Sequence, residues 1–501
     1  MTISGVSSNI ATLMQSVAGI DNQLDDLNRQ LGTGEKSATY AGLGSQSGIA
    51  VSLNSQLAAI NSFNDTITNV GTTVSLQQLV LQQIGSLGST VQSSTSQPSY
   101  AIDSTGQTSA QESAESSLDQ ILSTLNTQGA NGYLFSGNSL DQPSVDTADH
   151  ILNGNGSQAG LKQVIAERNQ ADLGADGLGR LVIPAVSGAT VSVSEDAAGS
   201  PFGLKLAGVS SSLTGATVTG PAGAPASISV DLGATNPNSG DTITYTFNLP
   251  DGTSQSLQLQ ATTSTTPGPN QFTIGATPAA TAANLQAAVT AGVSQIGSTS
   301  LTAASTMAAS TDFFDDPPQR VSGSPATATS LVDGTPANTV FWYTGGNSSG
   351  SARSSVTARI DSTTTVPYGT QANEQGIQQI VQSIAALAAT TYSASDPNAA
   401  ASYTALNQRV NTALGAPAGV QNITDIESSL ANAQTAMAAA QGQHQQTSNM
   451  LTNMQQSIEG VDQNQVGAEI LALQTNLSAS LSTTARMASL NLVTYLSPVT
   501  G

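Results

Sequence analysis

Apolar residues spaced alternately by three and four positions run through both ends of this chain. Such spacing averages 3.5 residues, which keeps one stripe of a helix facing a partner helix. The predicted seam near the start follows this spacing throughout and consists of Ile10, Leu13, Val17, Ile20, Leu24, Leu27 and Leu31. Near the end the spacing holds from Val466 through Ile470 and Leu473 to Leu477, and the predicted seam also includes the later leucines Leu481, Leu490, Leu492 and Leu496. Because isolated helices with polar remaining faces are marginal in water, each end should become ordered only where a partner covers its seam. The residues alone leave two readings open: an assembly of identical copies, which forms an open helical polymer unless its rotation closes, and a monomeric coiled-coil stalk.

Most of the N-terminal and C-terminal parts of the chain have the apolar periodicity of helices. It predicts helices over about 1–31, ended by a left-handed glycine cap in Gly32-Thr33-Gly34, and over about 48–93, 107–128, 398–414, 420–459 and 462–496, with helicity also resuming near 371. The helix over 420–459 carries a second apolar seam, and His444 occupies one of its positions. The members of that second seam are Ile423, Ile426, Leu430, Ala433, Met437, Leu451, Met454, Ile458 and Val461.

The middle of the chain has a different pattern. Strand-like alternation over Thr242–Leu249 and Ser254–Leu259 surrounds Pro250-Asp251-Gly252 and predicts a β-hairpin. Further strands are predicted at Ile228–Leu232, Gln271–Ile274 and Thr339–Tyr343, a short strand or hairpin at 132–137, and one helix at about 277–293. We therefore expect an α+β protein in which long terminal helices pair into a coiled coil or bundle, and a β-rich central insert projects outward. The predicted domain ranges are 1–137, 138–370 and 371–501.

Composition excludes several classes of function. The 501 residues include 11 Lys and Arg against 32 Asp and Glu, and the basic residues are scattered, so nucleic-acid binding is not expected. No apolar run is long enough to predict a membrane span, and membrane insertion is not expected. The chain has no cysteine, and no basic segment precedes Arg29, so neither disulfides nor a secretory signal peptide is expected.

The chain offers few residues for catalysis. It has two histidines, His150 in a Gly/Asn-rich stretch and His444 on the second seam, and no common catalytic or phosphate-binding motif. The paired acids Asp315 and Asp316 are expected to be solvated surface, and Trp342 is expected to pack in a core. We predict no catalytic, cofactor-binding or metal site, and no enzyme activity.

Several short segments resemble the bacterial flagellin family, which includes the hook–filament junction subunits. They are Asn9-Ile10-Ala11-Thr12-Leu13, Leu31-Gly32-Thr33-Gly34-Glu35-Lys36, Gly132-Tyr133-Leu134-Phe135-Ser136-Gly137, the stretch from Leu473 to Leu481, and the stretch from Leu490 to Leu496. Their order matches the family, and together they cover about 1–137 and 371–496. The final segment and the aromatic 132–137 segment are similar to junction subunits, whereas the large insert is typical of filament subunits.

The resemblance implies a secreted structural subunit of the flagellum that polymerises through its terminal helices. It implies export through the flagellar type III apparatus with an export chaperone, neighbouring axial proteins as partners, an extracellular location and no cofactor. A junction subunit is the first alternative, and a type III translocator or needle-tip protein is an alternative of another class. Exposed Ser and Thr of the insert, such as Ser348-Ser349 and Thr363–Thr365, are expected candidates for O-glycosylation.

Overall fold

The computed structural model describes residues 3–96, 99–347 and 350–496, and side-chain surroundings are described from residue 11 to 487 and at Ser489. Within these ranges the protein is a mixed α+β fold with long helices at both ends, as the sequence predicts. The helices are α1 (Ile3–Thr33), α2 (Ser47–Ser96), α3 (Ser109–Leu125), α4 (Ala148–Asn153), α5 (Leu161–Leu173), α6 (Pro278–Ile296), α7 (Thr302–Phe314), α8 (Gln375–Ala388), α9 (Ala399–Leu414), α10 (Ile423–Glu459) and α11 (Gln463–Leu496). The four longest, α1, α2, α10 and α11, confirm the helices predicted from apolar periodicity. The predicted glycine cap is also present, since α1 ends at Thr33 and Gly34 adopts a φ of 74°.

The strands form two four-stranded sheets and three two-stranded ones. They are β1 (Gln128–Gly129), β2 (Gly132–Tyr133), β3 (Leu181–Val182), β4 (Thr190–Glu195), β5 (Lys205–Ser211), β6 (Thr217–Ala222), β7 (Ser227–Asp231), β8 (Thr242–Asn248), β9 (Ser254–Thr262), β10 (Gln271–Thr273), β11 (Gln319–Val321), β12 (Leu331–Asp333), β13 (Thr357–Arg359) and β14 (Thr365–Pro367). The larger sheets have the orders β3-β4-β7-β6 and β10-β9-β8-β5. In the second sheet β10 runs parallel to β9, and the other pairs are antiparallel.

The predicted hairpin over β8 and β9 is confirmed. Thr242 pairs with Gln260 and Asn248 with Ser254, and the Asp251 carboxylate accepts hydrogen bonds from the Thr253 amide at 3.0 Å and hydroxyl at 2.6 Å. The inward residues of both large sheets share one apolar core with α6, which includes Phe247 and Leu285. The Thr277 hydroxyl caps α6 by accepting from the Ala280 amide, and Pro278 occupies the first turn.

Two predictions for the middle of the chain are wrong. Residues 339–343 form no strand; Thr339 and Tyr343 make only isolated bridges, to Ala159 and Val145. The region 138–370 also contains α4, α5 and α7, which the sequence analysis did not predict. In α7, ten of thirteen residues are buried. A helix that is buried on nearly all sides has no separate polar face, so its sequence lacks the apolar stripe that indicates an amphipathic helix.

Contacts divide the described residues into two units. The terminal unit contains residues 3–70, 359–366 and 435–496, and the central unit contains the described residues of 71–358 and 367–434. The boundaries near 70 and 434 fall inside α2 and α10, whereas the sequence analysis drew boundaries at 137/138 and 370/371. Helical periodicity continues through residues 70 and 434, so the sequence carries no break there.

Aromatic side chains in the central unit build a second part of its interior. Trp342 is 2% exposed, its indole nitrogen donates to the Phe314 carbonyl at 3.0 Å, and its ring meets Phe314 edge-on. This confirms the core role predicted for Trp342. An indole buried with its N–H satisfied is typical of a packed interior and not of an open ligand site.

Candidate assembly surface

In the terminal unit, α1 and α11 contact each other along the predicted seam. Leu24, Val466 and Ile470 are buried there, each no more than 7% exposed. Half-buried residues surround them, namely Ile20, Leu27, Val461, Leu473 and Leu477. Leu13 and Val17 are also half-buried. The structure therefore brings together the middle of the predicted seam.

Two predicted seam residues lie outside this contact. Leu31 is 39% exposed and Leu481 is 51% exposed. After Leu27 the next half-buried positions are Arg29 and Gln30, and after Leu477 the next is Ser480. The half-buried face thus continues through polar residues and leaves both leucines outside it. Ile10, Leu490, Leu492 and Leu496 belong to α1 and α11, but their side chains lie outside the described residues.

A second apolar cluster joins α2 to α10 in the same unit. Its buried members are Ala50, Leu53, Ile60, Leu451 and Ile458, with Leu43 and Leu57 packed against them. Asn54 and Gln455 flank this cluster, and the Gln455 amide donates to the Asn54 side-chain oxygen at 3.1 Å. Two members of the second seam predicted on α10, Leu451 and Ile458, thus pack against α2. Met454 is 43% exposed, and Val461 packs with the α1–α11 contact instead.

Backbone hydrogen bonds tie the turn after α1 to the turn before α11. The Lys36 amide donates to the Glu459 carbonyl at 2.7 Å, and the Val461 amide donates to the Gly34 carbonyl at 3.0 Å. The positive φ of Gly34 makes this approach possible, since a left-handed backbone suits glycine. The segment Leu31–Lys36, which is similar to a segment of flagellins, therefore also has a local structural role: it connects the turn after α1 to the turn before α11.

Lys36 closes the C-terminal end of α10. Its ammonium group donates to the carbonyls of Ile458 at 3.0 Å and Ser457 at 3.3 Å, which are among the carbonyls that the helix leaves unpaired. A cation at this end also interacts favourably with the helix dipole. This role was not predicted from the sequence; the available signal was a lysine two residues after the glycine that ends a helix.

The terminal unit exposes more large apolar side chains than the central unit does, among the residues that the structure describes. Nine of the twelve exposed large apolar side chains among the described residues belong to this unit. They are Met14, Leu31, Tyr40, Ile49, Val51, Met450, Met454, Leu471 and Leu481. Met14 and Leu471 are the most exposed, at 63% and 66%. These exposed side chains are available for contact with a protein partner.

A groove of 520 Å³ lies between α1 and α11. Leu27, Ala472 and Leu473 form its apolar part, and Asp26 and Glu469 give it negative charge. The Arg29 side chain donates to Asp26 at 2.7 Å, and this hydrogen bond holds the pKa of Asp26 below its ordinary value. Apolar residues bordered by polar and acidic ones are typical of the edge of a contact between two helices. The groove lining contains no histidine or cysteine that could act in catalysis.

The described residues contain no group of three or more His, Cys, Asp or Glu side chains arranged to hold a metal ion. Asp315 and Asp316 line a 210 Å³ pocket beside Trp342 and Tyr343, where neither histidine is present. The sequence predicts that His150 lies in a Gly/Asn-rich loop, but the residue belongs to α4, and its Nδ1 is 2.5 Å from the Asp146 carboxylate. The Asp315–Asp316 pair and His150 thus lie in separate places.

The most buried charges belong to the central unit. Arg168 lies between Asp172 and Asp312, donates to Asp172 at 2.9 Å and also pairs with Asp312. The Ser305 hydroxyl and the Gly203 amide donate to Asp172 as well. Burial raises the pKa of both carboxyl groups, and Arg168 opposes the rise. Because Asp172 is fully enclosed by these partners, we interpret the group as a structural ion cluster.

Among the described residues, none of the helices combines the length and hydropathy required to span a bilayer. Comparison with protein-family models gives no match to this chain, and comparison with curated proteins gives none either.

Proposed function

We propose that this chain is a structural subunit of the bacterial flagellar filament, which assembles with copies of itself into a helical tube through its terminal helices. In this proposal α1 and α11 form a coiled-coil pair in the tube, and the β-rich region faces outward. The protein acts after secretion through the flagellar export apparatus, with a chaperone before export and other axial proteins as neighbours. It performs no catalysis.

The gathering of exposed apolar side chains on the terminal unit carries this proposal. Each exposed aliphatic side chain that a neighbouring copy covers stabilises the assembly by roughly 1.5–3 kcal/mol. The chain also has few charged residues, 9% in all, so a contact between copies buries few charges that lack partners. The segment resemblances described above point to the same kind of subunit.

The test uses the purified full chain and substitutions that leave the single copy folded. Met14→Asp with Leu471→Asp places two charges where solvent already reaches, so the monomer should retain its circular dichroism spectrum. Assembly, measured by sedimentation and electron microscopy, should be lost because covering these charges is costly. The matched control is Val182→Asp with Val332→Asp, exposed to 47% and 49% in the central unit, which should assemble like the wild type.

Three outcomes would count against the proposal. Long tubes formed by the Met14 and Leu471 variant would show that this surface is not covered. A wild-type chain that stays monomeric alone but extends a preformed hook would favour the junction alternative. Leakage of lipid vesicles caused by the wild-type chain would favour a type III translocator instead.

A further inference from the structure

A polar pair, buried His444 and half-buried Asn64, interrupts the apolar seam between α2 and α10. His444 is 4% exposed, and it is the one buried polar side chain of α10, all of which the structure describes. Its Nδ1 lies 2.9 Å from the side-chain oxygen of Asn64 on α2. Because an amide oxygen only accepts, Nδ1 carries the proton and donates it. The imidazole also stacks on Phe63, with ring centroids 5.9 Å apart.

The Asn64–His444 pair lowers the stability of the folded state at this position of the seam. The Nε2 atom of His444 is buried without a hydrogen-bond partner in the described part of the chain. A buried polar atom without a hydrogen-bond partner destabilises the folded state. An apolar side chain at this position would continue the clusters on either side. A polar pair kept in an apolar seam at such a cost suggests a function other than stability.

Apolar residues repeat every seven positions along this seam, so apolar contacts alone do not select one register of α2 against α10. Leu430, Met437, Leu451 and Ile458 share the heptad position of His444, and Ala50 and Leu57 share that of Asn64. If α2 slid by seven residues along α10, one apolar residue would replace another at almost every contact. The slip would break the Asn64–His444 hydrogen bond inside the seam and the flanking Asn54–Gln455 and Ser75–Gln434 hydrogen bonds. Asn64 and His444 would then face apolar side chains.

We propose that the Asn64–His444 pair fixes the register of α2 against α10. A single polar pair at a seam position specifies alignment because every other alignment leaves its members unpaired. The two residues are positioning residues. They hold α10 at one axial setting relative to α2, and the described turn contacts of Gly34 and Lys36 then meet their partners at the end of α10. This inference concerns a single copy and does not depend on the proposed function.

The test measures one distance by electron spin resonance. The chain has no cysteine, so spin labels attach only at Gln56→Cys and Ala439→Cys, two exposed positions on α2 and α10. A slip of one heptad moves the helices by about 10 Å along their axes. The wild-type background should give a single distance. Asn64→Leu with His444→Leu should add a second population shifted by about 10 Å while helical content is retained.

Two matched backgrounds separate register from packing. The exchange Asn64→His with His444→Asn keeps a hydrogen-bonding pair and should keep the single distance. Ser62→Leu with Gln445→Leu makes the same kind of change at neighbouring exposed positions and should also keep it. A single wild-type distance in the double leucine variant would overturn the proposal. So would loss of its helical content, because removing a register device leaves the helices themselves intact.

Discussion

At the scale of single residues, burial and charge explain why some positions of this chain could be read from sequence and others could not. Leu24 and Ile470 are buried as their spacing predicts, whereas Leu31 and Leu481 are exposed. The periodicity of a helix does not say whether a three-residue or a four-residue step comes next. In both helices the polar residue one position earlier, Gln30 or Ser480, is half-buried, and the leucine that follows it is exposed.

The cluster of Arg168, Asp172 and Asp312 predicts a pH dependence of stability. Burial raises the pKa of both carboxyl groups above the ordinary value of 3.8, so the folded chain holds these protons more tightly than the unfolded chain. Their contribution to the free energy of unfolding is fully present below about pH 4 and is lost as pH rises through the raised pKa values. Asp312→Asn removes one of these carboxylates and leaves the Arg168–Asp172 pair intact.

We expect Asp312→Asn to become more stable relative to wild type as pH increases from 4 toward 7, by an amount on the order of 1 kcal/mol. Denaturant unfolding of the central unit across this range measures the difference. Exposed acids such as Asp241, whose pKa its hydrogen bonds lower, change equally in both proteins and cancel. A constant difference between the two proteins at every pH would contradict the assignment.

At the scale of secondary-structure elements, the long helices and the β8–β9 hairpin were predictable because each has a strong local signal. Apolar residues repeat every 3.5 positions in the first case, and alternation surrounds a turn in the second. Helix α5 carries no such signal, because it buries Arg168 and Asp172 on the face that should be apolar. Strands β5 and β6 contain exposed and small residues, including Gly208 and Gly220, which hide their alternation.

The end of α10 gives a prediction for Lys36. Lys36→Met keeps much of the side-chain length but removes the two hydrogen bonds to the carbonyls of Ser457 and Ile458. We expect a loss of about 0.5–1 kcal/mol, confined to the last turn of α10 and the turn that follows it. Amide hydrogen exchange of residues 456–463 should become faster. Lys36→Arg should keep most of the protection, and unchanged exchange in Lys36→Met would show that the cap contributes nothing.

The α1–α11 contact gives a prediction for Leu24. Leu24→Asp puts a charge at a position that is 7% exposed and should unpair the two helices. The helical circular dichroism signal should fall by the part that the residues of α1 and α11 contribute. Denaturant unfolding of the central unit should stay as in wild type. Met14→Asp, at 63% exposure on the same helix, is the control and should leave the signal unchanged. Equal spectra for the two variants would mean that Leu24 contributes no contact energy.

At the scale of the whole molecule, the two units differ in how much apolar surface they bury. The core that the two large sheets share with α6 contains 24 buried apolar residues, whereas the α1–α11 contact contains three and the α2–α10 cluster contains five. This difference could not be derived from sequence, because seam spacing shows which residues face a partner and not how deeply the partner covers them. Ordering a residue costs about 1–2 kcal/mol, so a thin contact leaves its helices close to the limit of stability.

Hydrogen exchange tests this difference on the full chain. In a dilute single copy, amides of residues 11–33 and 463–487 should exchange much faster than those of β8 and α6, because local opening exposes few buried side chains. In sedimented assemblies the same terminal amides should become protected, since neighbouring copies would cover Met14, Leu471 and the groove beside Leu27. Full protection of the terminal helices in the dilute single copy would mean that they need no partner. The exposed apolar residues of the terminal unit would then lose their explanation as an assembly surface, and the filament proposal would lose its physical basis.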